Sequence, residues 1–559
     1  SHQLGIALLV VTIALFARGI WCGHDLVEMF LIAVAVAVSI VPEGLPIALT
    51  VILAVGVERL AKKRGIIRKL LAAEALGSTT LILTDKTGTL TEAKMTLTDV
   101  VPWNASTSKA ALLSSAIINM EVLIENPEDP HTKWRLIGRP MEIALIRDAA
   151  AQGVFLPERS AAIHMIDRFP FHSRHKYSLS LTEEKGERTM VLVGGPDIIL
   201  PCTTLTNQEQ ATLRAHIEAR THTGERLLGV AYKNPSSKHM SIDPYEEPSG
   251  FIFQGLLAFR DPVRAQVKEA IARINKHGVR TIMVTGDHPG TATAVGKELG
   301  MCTENTLALT GDDLRRISPA TLAAQTNDIS IYARVTPEQK LDIVRMYQQQ
   351  GEVVAVTGDG VNDAPALEAA DIGVAVGSGT DVAKSAADLI ILDDNFETIV
   401  LAIEEGRRIL GNIRKVLIYL LSSVVDSVLL IGGALLLGLP LPLNPLQILF
   451  VNFFSDSFPA IAFAFEEHHD IHDTQRKMQK LFDTEMKIMI WVLGISTSVL
   501  LFVLYLMLLR TGYDLTLVRT FIFASFATYT LLMTFSLRSL KRSILTYNPF
   551  GNSYLTSGV

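Results

Sequence analysis

The chain has 559 residues, of which 48% are hydrophobic and 19% charged, and its formal net charge is −6 at pH 7. A mean hydropathy of +0.31 is too high for one soluble domain, and a pI of about 6.2 argues against a nucleic-acid binder, which needs a basic face. The three scattered cysteines exclude a disulfide framework or a paired-cysteine metal site.

Apolar residues are concentrated at the two ends of the chain, whereas residues 58–405 have the composition of soluble protein. Six segments approach the roughly 20 apolar residues that a membrane-spanning helix needs. We predict spans at 4–21, 26–57, 416–437, 445–465, 488–509 and 518–537. Lysine and arginine cluster on one side of these segments, which predicts a multi-pass protein of the cell membrane with a cytoplasmic middle region.

The second apolar segment contains the string SIVPEGLPIAL. Pro42 and Pro46 each remove a backbone donor, so nearby carbonyls lose their helical partners. Unpaired carbonyls inside a membrane are costly unless they line a site. Glu43 lies between the prolines, and an acid at this depth predicts a functional site rather than a simple kink.

After this segment, an apolar run from Thr80 to Leu83 leads to Asp85 in the string DKTGTLT. The run predicts a parallel strand with an acid at its carboxyl end, where open α/β sheets build their sites. A lone aspartate there is usually only a cap, so its interpretation depends on the motifs further along the chain. Phosphoryl transfer to a carboxylate would need a cation and Mg²⁺ to neutralise the transferring oxygens.

Three downstream strings supply such groups. TGD at Thr285–Asp287 follows an apolar strand, ARVTPEQK provides Lys340, and VAVTGDGVNDAPAL ends another strand with Asp359, Asn362 and Asp363. Mg²⁺ prefers oxygen ligands, which makes Asp359 and Asp85 a natural metal pair. Strands alternate with helical stretches at 264–277 and 289–299, the pattern of a doubly wound sheet. A Walker A motif is excluded, because Glu298 replaces the required Ser or Thr in GTATAVGKE.

These four motifs, in this order and flanked by apolar helices, resemble the P-type ATPases over nearly the whole chain. The resemblance implies an α/β, HAD-like doubly wound phosphorylation domain with an inserted α+β nucleotide-binding domain and six transmembrane helices, using ATP and Mg²⁺. Asp85 would form the aspartyl-phosphate, and Mg²⁺ would be held by Asp85, the Thr87 carbonyl and Asp359. Residues that assist or position phosphate would be Lys86, Thr87, Thr285, Gly286, Asp287, Lys340, Asn362 and Asp363.

The resemblance divides the chain into two helices at 1–57, a stalk and first catalytic part at 58–93, a nucleotide domain at 94–255, a second catalytic part at 256–405 and four helices with a tail at 406–559. Within the nucleotide domain, GRPMEIAL, FHSRHK and GERLLGVA imply an adenine-side acid, a stacking ring, a lysine and a phosphate-contacting arginine: Glu142, Phe171, Lys176 and Arg226. Where the family has KGAPE, this chain has VGGPD from Val193 to Asp197, which predicts weaker ATP binding.

PEGLP resembles the second subclass of P-type pumps, which move Ca²⁺, Na⁺/K⁺ or H⁺/K⁺. The implied ion ligands are the Glu43 carboxylate, the carbonyls of Val38, Ser39 and Val41, and Asn452, Ser455 and Asp456 of VNFFSDSFPAIAFAF. Asn452 and Asp456 are four residues apart and share a helix face, and such an oxygen-rich cage suits Ca²⁺.

The third segment reads SSVVDSV where calcium pumps have SSNVGEV. Val424 and Ser427 replace the amide and the glutamate, and Asp426 stands one residue earlier, about 100° around the helix. We therefore expect one Ca²⁺ per cycle, with Asp426 as a further candidate ligand, counter-ion or proton carrier.

Two alternatives stay open: an Na⁺/K⁺ or H⁺ pump on the same scaffold, and a non-enzymatic pseudo-pump, against which the intact motif residues argue. The chain has no TGES-type string of the family's actuator domain, and the first two and the last two of the family's usual ten membrane helices are also missing. We therefore expect a fragment at both ends that accepts phosphate but does not turn over. The expected partners are the transported cation and the lipid bilayer, without nucleic acid. EEHHDIHD at 466–473 is expected to be a solvated loop rather than a metal site.

Overall fold

The computed structural model describes residues 44–69, 71–104, 107–155, 163–172, 175–184, 186–235, 241–243, 247–302, 306–466, 482–540 and 542–559, with single residues between Ile13 and Val34. Its strands in these ranges are β1 (Gly65–Ile67), β2 (Leu81–Thr84), β3 (Thr96–Pro102), β4 (Leu123–Ile124), β5 (Leu136–Ile137), β6 (His164–Phe169), β7 (Tyr177–Glu184), β8 (Glu187–Gly194), β9 (Arg226–Lys233), β10 (Ile252–Arg260), β11 (Arg280–Val284), β12 (Leu307–Thr310), β13 (Ile329–Ala333), β14 (Val354–Gly358), β15 (Ile372–Val376) and β16 (Leu389–Ile391).

The larger sheet has the order β1-β16-β15-β14-β2-β11-β13-β12 and is parallel except for β1. Side chains of the central strand β2 alternate between two apolar cores. Ile82 packs in the core that includes helix Val267–Lys276, whereas Leu81 and Leu83 pack in the core that includes helix Pro337–Gln349. Helices therefore cover both faces, as expected for a doubly wound sheet.

The second large sheet is antiparallel, with the order β3-β10-β9-β8-β7-β6, and its chain is inserted between β2 and β11. The boundary predicted after residue 255 is wrong, because it falls inside β10. Residues up to Arg260 pair with β3 and up to Phe259 with β9, so the inserted sheet extends through the whole of β10.

Shorter helices cover these sheets or connect their strands: Leu71–Ser78, Lys109–Ile118, Pro140–Ala151, Pro196–Ile199, Asn207–His222, Val267–Lys276, Pro289–Glu298, Gly311–Arg316, Pro319–Gln325, Pro337–Gln349, Ala364–Ala369 and Asp381–Ala386. Several begin with a side-chain cap. Thr336, for example, caps Pro337–Gln349 reciprocally with Gln339, and proline occupies the first helical position.

Five helices of the described ranges are long and apolar enough to cross a membrane: Gly44–Lys62, Phe396–Leu436, Pro445–Phe465, Thr484–Arg510 and Leu515–Ser536. The last three agree with the predicted spans within a few residues. Apart from single residues, 4–21 and 26–43 lie outside the described residues, so the count of six spans stays a prediction.

The helix Phe396–Leu436, called the long helix below, begins 20 residues before the span predicted at 416–437. Its first turns are amphipathic rather than apolar. Phe396, Ile399, Val400 and Ile403 are buried in the larger sheet's core, and the charged residues of the next turns, at 404, 405, 407 and 408, hid the helix from a hydropathy criterion.

Two ion pairs, one of them fully buried, join the membrane helices near their ends. Arg414 of the long helix pairs at 2.8 Å with Asp483, which caps helix Thr484–Arg510. Glu466 is fully buried and receives Arg538 Nε at 3.0 Å and Nη2 at 2.8 Å. The expected solvated loop is therefore wrong at its first residue, while 467–473 lie outside the described residues.

Candidate active site

Asp85 lies directly after β2, with β14 on one side and β11 on the other. Its amide donates to the Thr357 carbonyl at 3.4 Å, and the turn Lys86–Leu90 comes immediately after it. Gly88 in that turn has φ of 75°, a conformation that glycine adopts at little cost. The predicted nucleophile thus occupies the carboxyl edge of the sheet, where ligand sites of such folds are built.

Lys340 joins the last of the downstream motifs to Asp85. Its Nζ lies 3.0 Å from Asp85 Oδ1 and 2.7 Å from Asp363 Oδ1. Burial raises the pKa of Asp85 to about 6, even though the Lys340 ammonium acts to lower it. Burial alone would lower the pKa of Lys340, but Asp85 and Asp363 outweigh it and the pKa is raised. The lysine is therefore a fixed positive charge beside the predicted nucleophile.

Asp287 connects three parts of the molecule. Lys86 Nζ lies 2.8 Å from its Oδ2, and Arg226, at the start of β9 in the inserted sheet, lies 3.5 Å from its Oδ1. Thr285 is buried directly after β11, and its hydroxyl accepts the Asp287 amide at 3.2 Å. A Cβ built on Gly286 would meet no atom within 4 Å, so the space beside the motif is open to a phosphoryl group.

Asp359 follows β14 and faces the turn after Asp85. A Cβ on Gly88 would come within 2.8 Å of Asp359 Oδ2, so only glycine leaves this space free. Burial, followed by the nearby Asp363 carboxylate, raises the pKa of Asp359. Asp85 and Asp359 follow neighbouring parallel strands, and their carboxylate oxygens suit Mg²⁺, whose other ligands would be water and substrate. No group of three His, Cys, Asp or Glu in the described ranges forms a metal cage by itself.

Thr87 and Asn362 are exposed beside these carboxylates. Sequence reasoning did not predict Asp261. This residue follows β10, where the chain leaves the inserted sheet, and it is hydrogen-bonded to the segment before β3, where the chain enters it. It accepts the Thr91 hydroxyl at 2.6 Å and the Lys94 amide at 3.2 Å. The DP pair directly after the apolar run of β10 was the available signal for a structured hinge at this point.

In the inserted domain, the structure brings together Glu142 and Phe171 through a residue that was not predicted. Arg139 lies over the Phe171 ring, with its guanidinium carbon 4.5 Å from the ring centroid, and its Nη2 is 2.9 Å from Glu142 Oε1. Lys176 is exposed, with φ of 60°. Val193 is 2% exposed and packs in an apolar core, so a lysine at this position would have to leave that core.

The membrane region contains a second polar cluster. It lies where helix Pro445–Phe465 makes a π-type turn at Val451–Asp456. Ser423 of the long helix donates to Asp456 Oδ2 at 2.7 Å, and Tyr419 donates to the Ser455 carbonyl at 2.9 Å. Asn452 lies in the same turn. The predicted ligands Val38, Ser39, Val41 and Glu43 lie outside the described residues.

Asp426 is one turn further along the long helix and is 1% exposed. Its Oδ1 has no hydrogen-bond partner among the described residues. Sequence reasoning did not predict Ser423 or Tyr419, because a serine and a tyrosine in an apolar segment carry no signal of their own.

Comparison with known proteins relates the chain to two protein families. Residues 79–371 match the family model of haloacid dehalogenase-like hydrolases, and residues 440–559 match that of the cation transporting ATPase C-terminus. The "Calcium-transporting ATPase" of Bacillus subtilis is 35% identical over 100% of this chain and 67% of its own length. "Calcium-transporting ATPase 1" of Lactococcus lactis is 39% identical over 79% of this chain and 52% of the relative. "Probable cation-transporting ATPase F" of Mycobacterium tuberculosis is 34% identical over 100% and 66%.

A sheet of the haloacid dehalogenase-like hydrolase family in a chain with several membrane-capable helices, together with these relatives, defines the class as a membrane ATPase. More narrowly, the chain belongs to the P-type cation-transporting ATPases and is a multi-pass membrane protein. It spans between about half and two thirds of the length of the curated relatives named above.

Proposed function

We propose that this chain carries the phosphorylation and ion-binding steps of an ATP-driven cation pump, with Asp85 as the residue that receives the γ-phosphoryl group. The observation that carries the proposal is the convergence of Asp85, Lys340 and Asp363 within hydrogen-bond distance at one sheet edge. Fixed charges positioned around a carboxylate are what phosphoryl transfer needs, because its catalysis is mainly positioning and electrostatic stabilisation.

In this proposal each residue has a limited task. The Asp85 carboxylate attacks the γ-phosphorus while ADP leaves, and the Lys340 ammonium keeps that carboxylate ionised and in place. The Thr285 hydroxyl and the backbone around Gly286 receive the phosphoryl oxygens. Asp85, Asp359 and the Thr87 carbonyl would hold Mg²⁺, which when bound supplies positive charge against the phosphate oxygens.

For the cation we propose Ca²⁺, with one ion per cycle. The names of the Bacillus and Lactococcus relatives support the choice of ion. The position of Asp456 supports a single cation site, because this acid lies in an irregular turn together with Asn452 and Ser455. Backbone irregularity at membrane depth is tolerated where it lines a site, since it frees carbonyls that a cation can use.

The test is phosphoenzyme formation from γ-labelled ATP by the chain in detergent, with Ca²⁺, Na⁺, K⁺ and Mn²⁺ added in turn. We expect acid-stable, hydroxylamine-sensitive label that depends on Ca²⁺ and is absent in Asp85→Asn. Label that survives Asp85→Asn would refute the assignment of the nucleophile, and label that responds to Na⁺ or K⁺ alone would refute the choice of ion. Two labelled Ca²⁺ bound per phosphorylation site would refute the stoichiometry.

A further inference from the structure

Arg264 contacts the turn that follows Asp85 from a distant part of the chain, and the proposed function gives this arginine no task. Its Nε donates to the Thr91 carbonyl at 3.1 Å, and its Nη2 donates to the Gly88 carbonyl at 3.2 Å. Its backbone amide donates to the Leu90 carbonyl, also at 3.1 Å. Three hydrogen bonds from one residue therefore hold the second half of the turn. Two of them come from a charged group, which makes stronger bonds than a neutral donor.

The turn has a wide backbone closure. The Thr91 amide donates to the Lys86 carbonyl at 3.1 Å, and this closure spans more residues than the four of a β-turn. Gly88, at φ of 75°, adds no side chain that could pack against its surroundings. Fixing the backbone of each residue costs conformational entropy, so bonds from outside the turn help to determine where its carbonyl groups lie.

The part of the turn that Arg264 holds lies against the proposed Mg²⁺ site. A Cβ built on Gly88 would come within 2.8 Å of Asp359 Oδ2, and the residue before Gly88 is Thr87, whose carbonyl is a proposed ligand. A small displacement of Gly88 would therefore change the distance between the Thr87 carbonyl and the Asp359 carboxylate. Mg²⁺ tolerates little variation in the positions of its ligands, because it requires nearly ideal octahedral geometry.

The alternative is that Arg264 only fastens the place where the chain leaves the inserted sheet. Asp261 already does this, since its carboxylate binds the Thr91 hydroxyl and the Lys94 amide on the segment that enters the sheet. The bond from Arg264 to Gly88 reaches further, because Gly88 lies inside the turn and next to the proposed metal site. A fastening role alone therefore does not account for this bond.

We propose that Arg264 is a positioning residue for the Mg²⁺ site: by holding the turn at Gly88 and Thr91, it keeps the Thr87 carbonyl beside Asp359. Arg264 acts through the turn and not on the metal or the phosphate. The inference rests on the proposed function, because it takes these two oxygen groups as Mg²⁺ ligands. Removal of a group that orients a metal ligand typically weakens metal binding about 10–100-fold. Arg264→Ala should therefore weaken Mg²⁺ binding about tenfold or more.

The experiment measures hydrogen exchange of the β2 amides in the whole chain in detergent, first with EDTA and then during a titration with Mg²⁺. Exchange in EDTA reports the stability of the larger sheet, and the increase in protection with Mg²⁺ gives the Kd of the metal. Arg264→Lys keeps the charge but loses the planar fork that donates to two carbonyls, so it should weaken Mg²⁺ binding several-fold. The test therefore does not depend on the folding of Arg264→Ala.

The matched control is Arg280→Ala. Arg280 also donates to two backbone carbonyls, those of Thr326 at 2.8 Å and Ile329 at 3.4 Å. It is the first residue of β11, however, and so lies at the edge of the larger sheet opposite Asp85. Its removal should speed exchange in EDTA and leave the Kd of Mg²⁺ unchanged.

The outcomes separate the inference from the proposed function. An unchanged Kd in both Arg264 variants, or an equal rise in Arg280→Ala, overturns the inference and leaves the proposed function intact. If Mg²⁺ protects neither the wild type nor any variant, or protects Asp359→Asn as strongly as the wild type, the proposed metal site is wrong and the inference falls with it.

Discussion

We expect the ionised carboxylate of Asp85, which the proposed function needs as a nucleophile, to lower the stability of the folded protein. Its pKa of about 6, against an ordinary 3.8, corresponds to about 3 kcal/mol of unfavourable free energy for the ionised form in the folded protein. Because the folded state binds the proton more tightly than the unfolded state, stability falls as pH rises through 6. Asp85→Asn keeps the shape and an acceptor for Lys340 but removes the charge. It should therefore stabilise the larger sheet by up to about 3 kcal/mol at pH 7.5, and by about half of that at pH 5.

Hydrogen exchange of the β2 and β14 amides reports this opening free energy directly, in detergent with EDTA. Asp312→Asn, at an exposed position of the same domain, is the control and should change nothing. Mg²⁺ in place of EDTA should reduce the difference in opening free energy between Asp85→Asn and the wild type, because a bound cation favours the ionised carboxylate. The reasoning would be refuted if the β2 and β14 amides of Asp85→Asn exchanged faster than those of the wild type at pH 7.5. It would also be refuted if Asp85→Asn stabilised these strands more at pH 5 than at pH 7.5.

Three further changes probe the two polar sites. Gly88→Ala should abolish label incorporation from ATP, because its Cβ would lie 2.8 Å from Asp359 Oδ2 and because φ is 75°; substantial phosphoenzyme in this variant would contradict the tight turn. Lys340→Met leaves buried carboxylates without their cation and should destabilise the larger sheet by about 3 kcal/mol or more. The loss should be seen as faster hydrogen exchange, and Lys340→Arg should recover part of it. Ser423→Ala removes the 2.7 Å donor to Asp456 and should change labelled Ca²⁺ binding several-fold, while Ser496→Ala, at an exposed position on a neighbouring helix, should not.

The sequence predicted well the positions of those residues that are fixed by chain direction, whereas their chemical roles stay predictions. Asp85, Thr285 and Asp359 each follow an apolar run that became a parallel strand, and parallel strands that end at one edge bring their next residues together. The position of Lys340 follows from a capped helix that begins three residues earlier. Such positions follow from local patterns and from the topology that those patterns allow.

The residues that it missed depend on contacts between distant segments. Asp261 holds Thr91 and Lys94 across about 170 residues of chain, and Ser423 reaches Asp456 from another helix. Arg139 stands in a predicted motif, yet its stacking on Phe171 joins two segments that are distant in the chain. None of these pairings has a period or a spacing that a single sequence could reveal.

The long helix gives a physical route between the two polar sites. At 41 residues and 1.5 Å of rise per residue it is roughly 60 Å long, and it is continuous from the larger sheet to the membrane cluster. Its first turns are buried in the core that contains Ile82 of β2, and Ser423 further along contacts Asp456. A packed helix moves as a body rather than bending within one turn, because bending would open buried contacts along its length. A displacement of the sheet around Asp85 would therefore be transmitted along this helix toward Ser423 and Asp456, and we propose that the helix couples the proposed phosphorylation site to the proposed ion site.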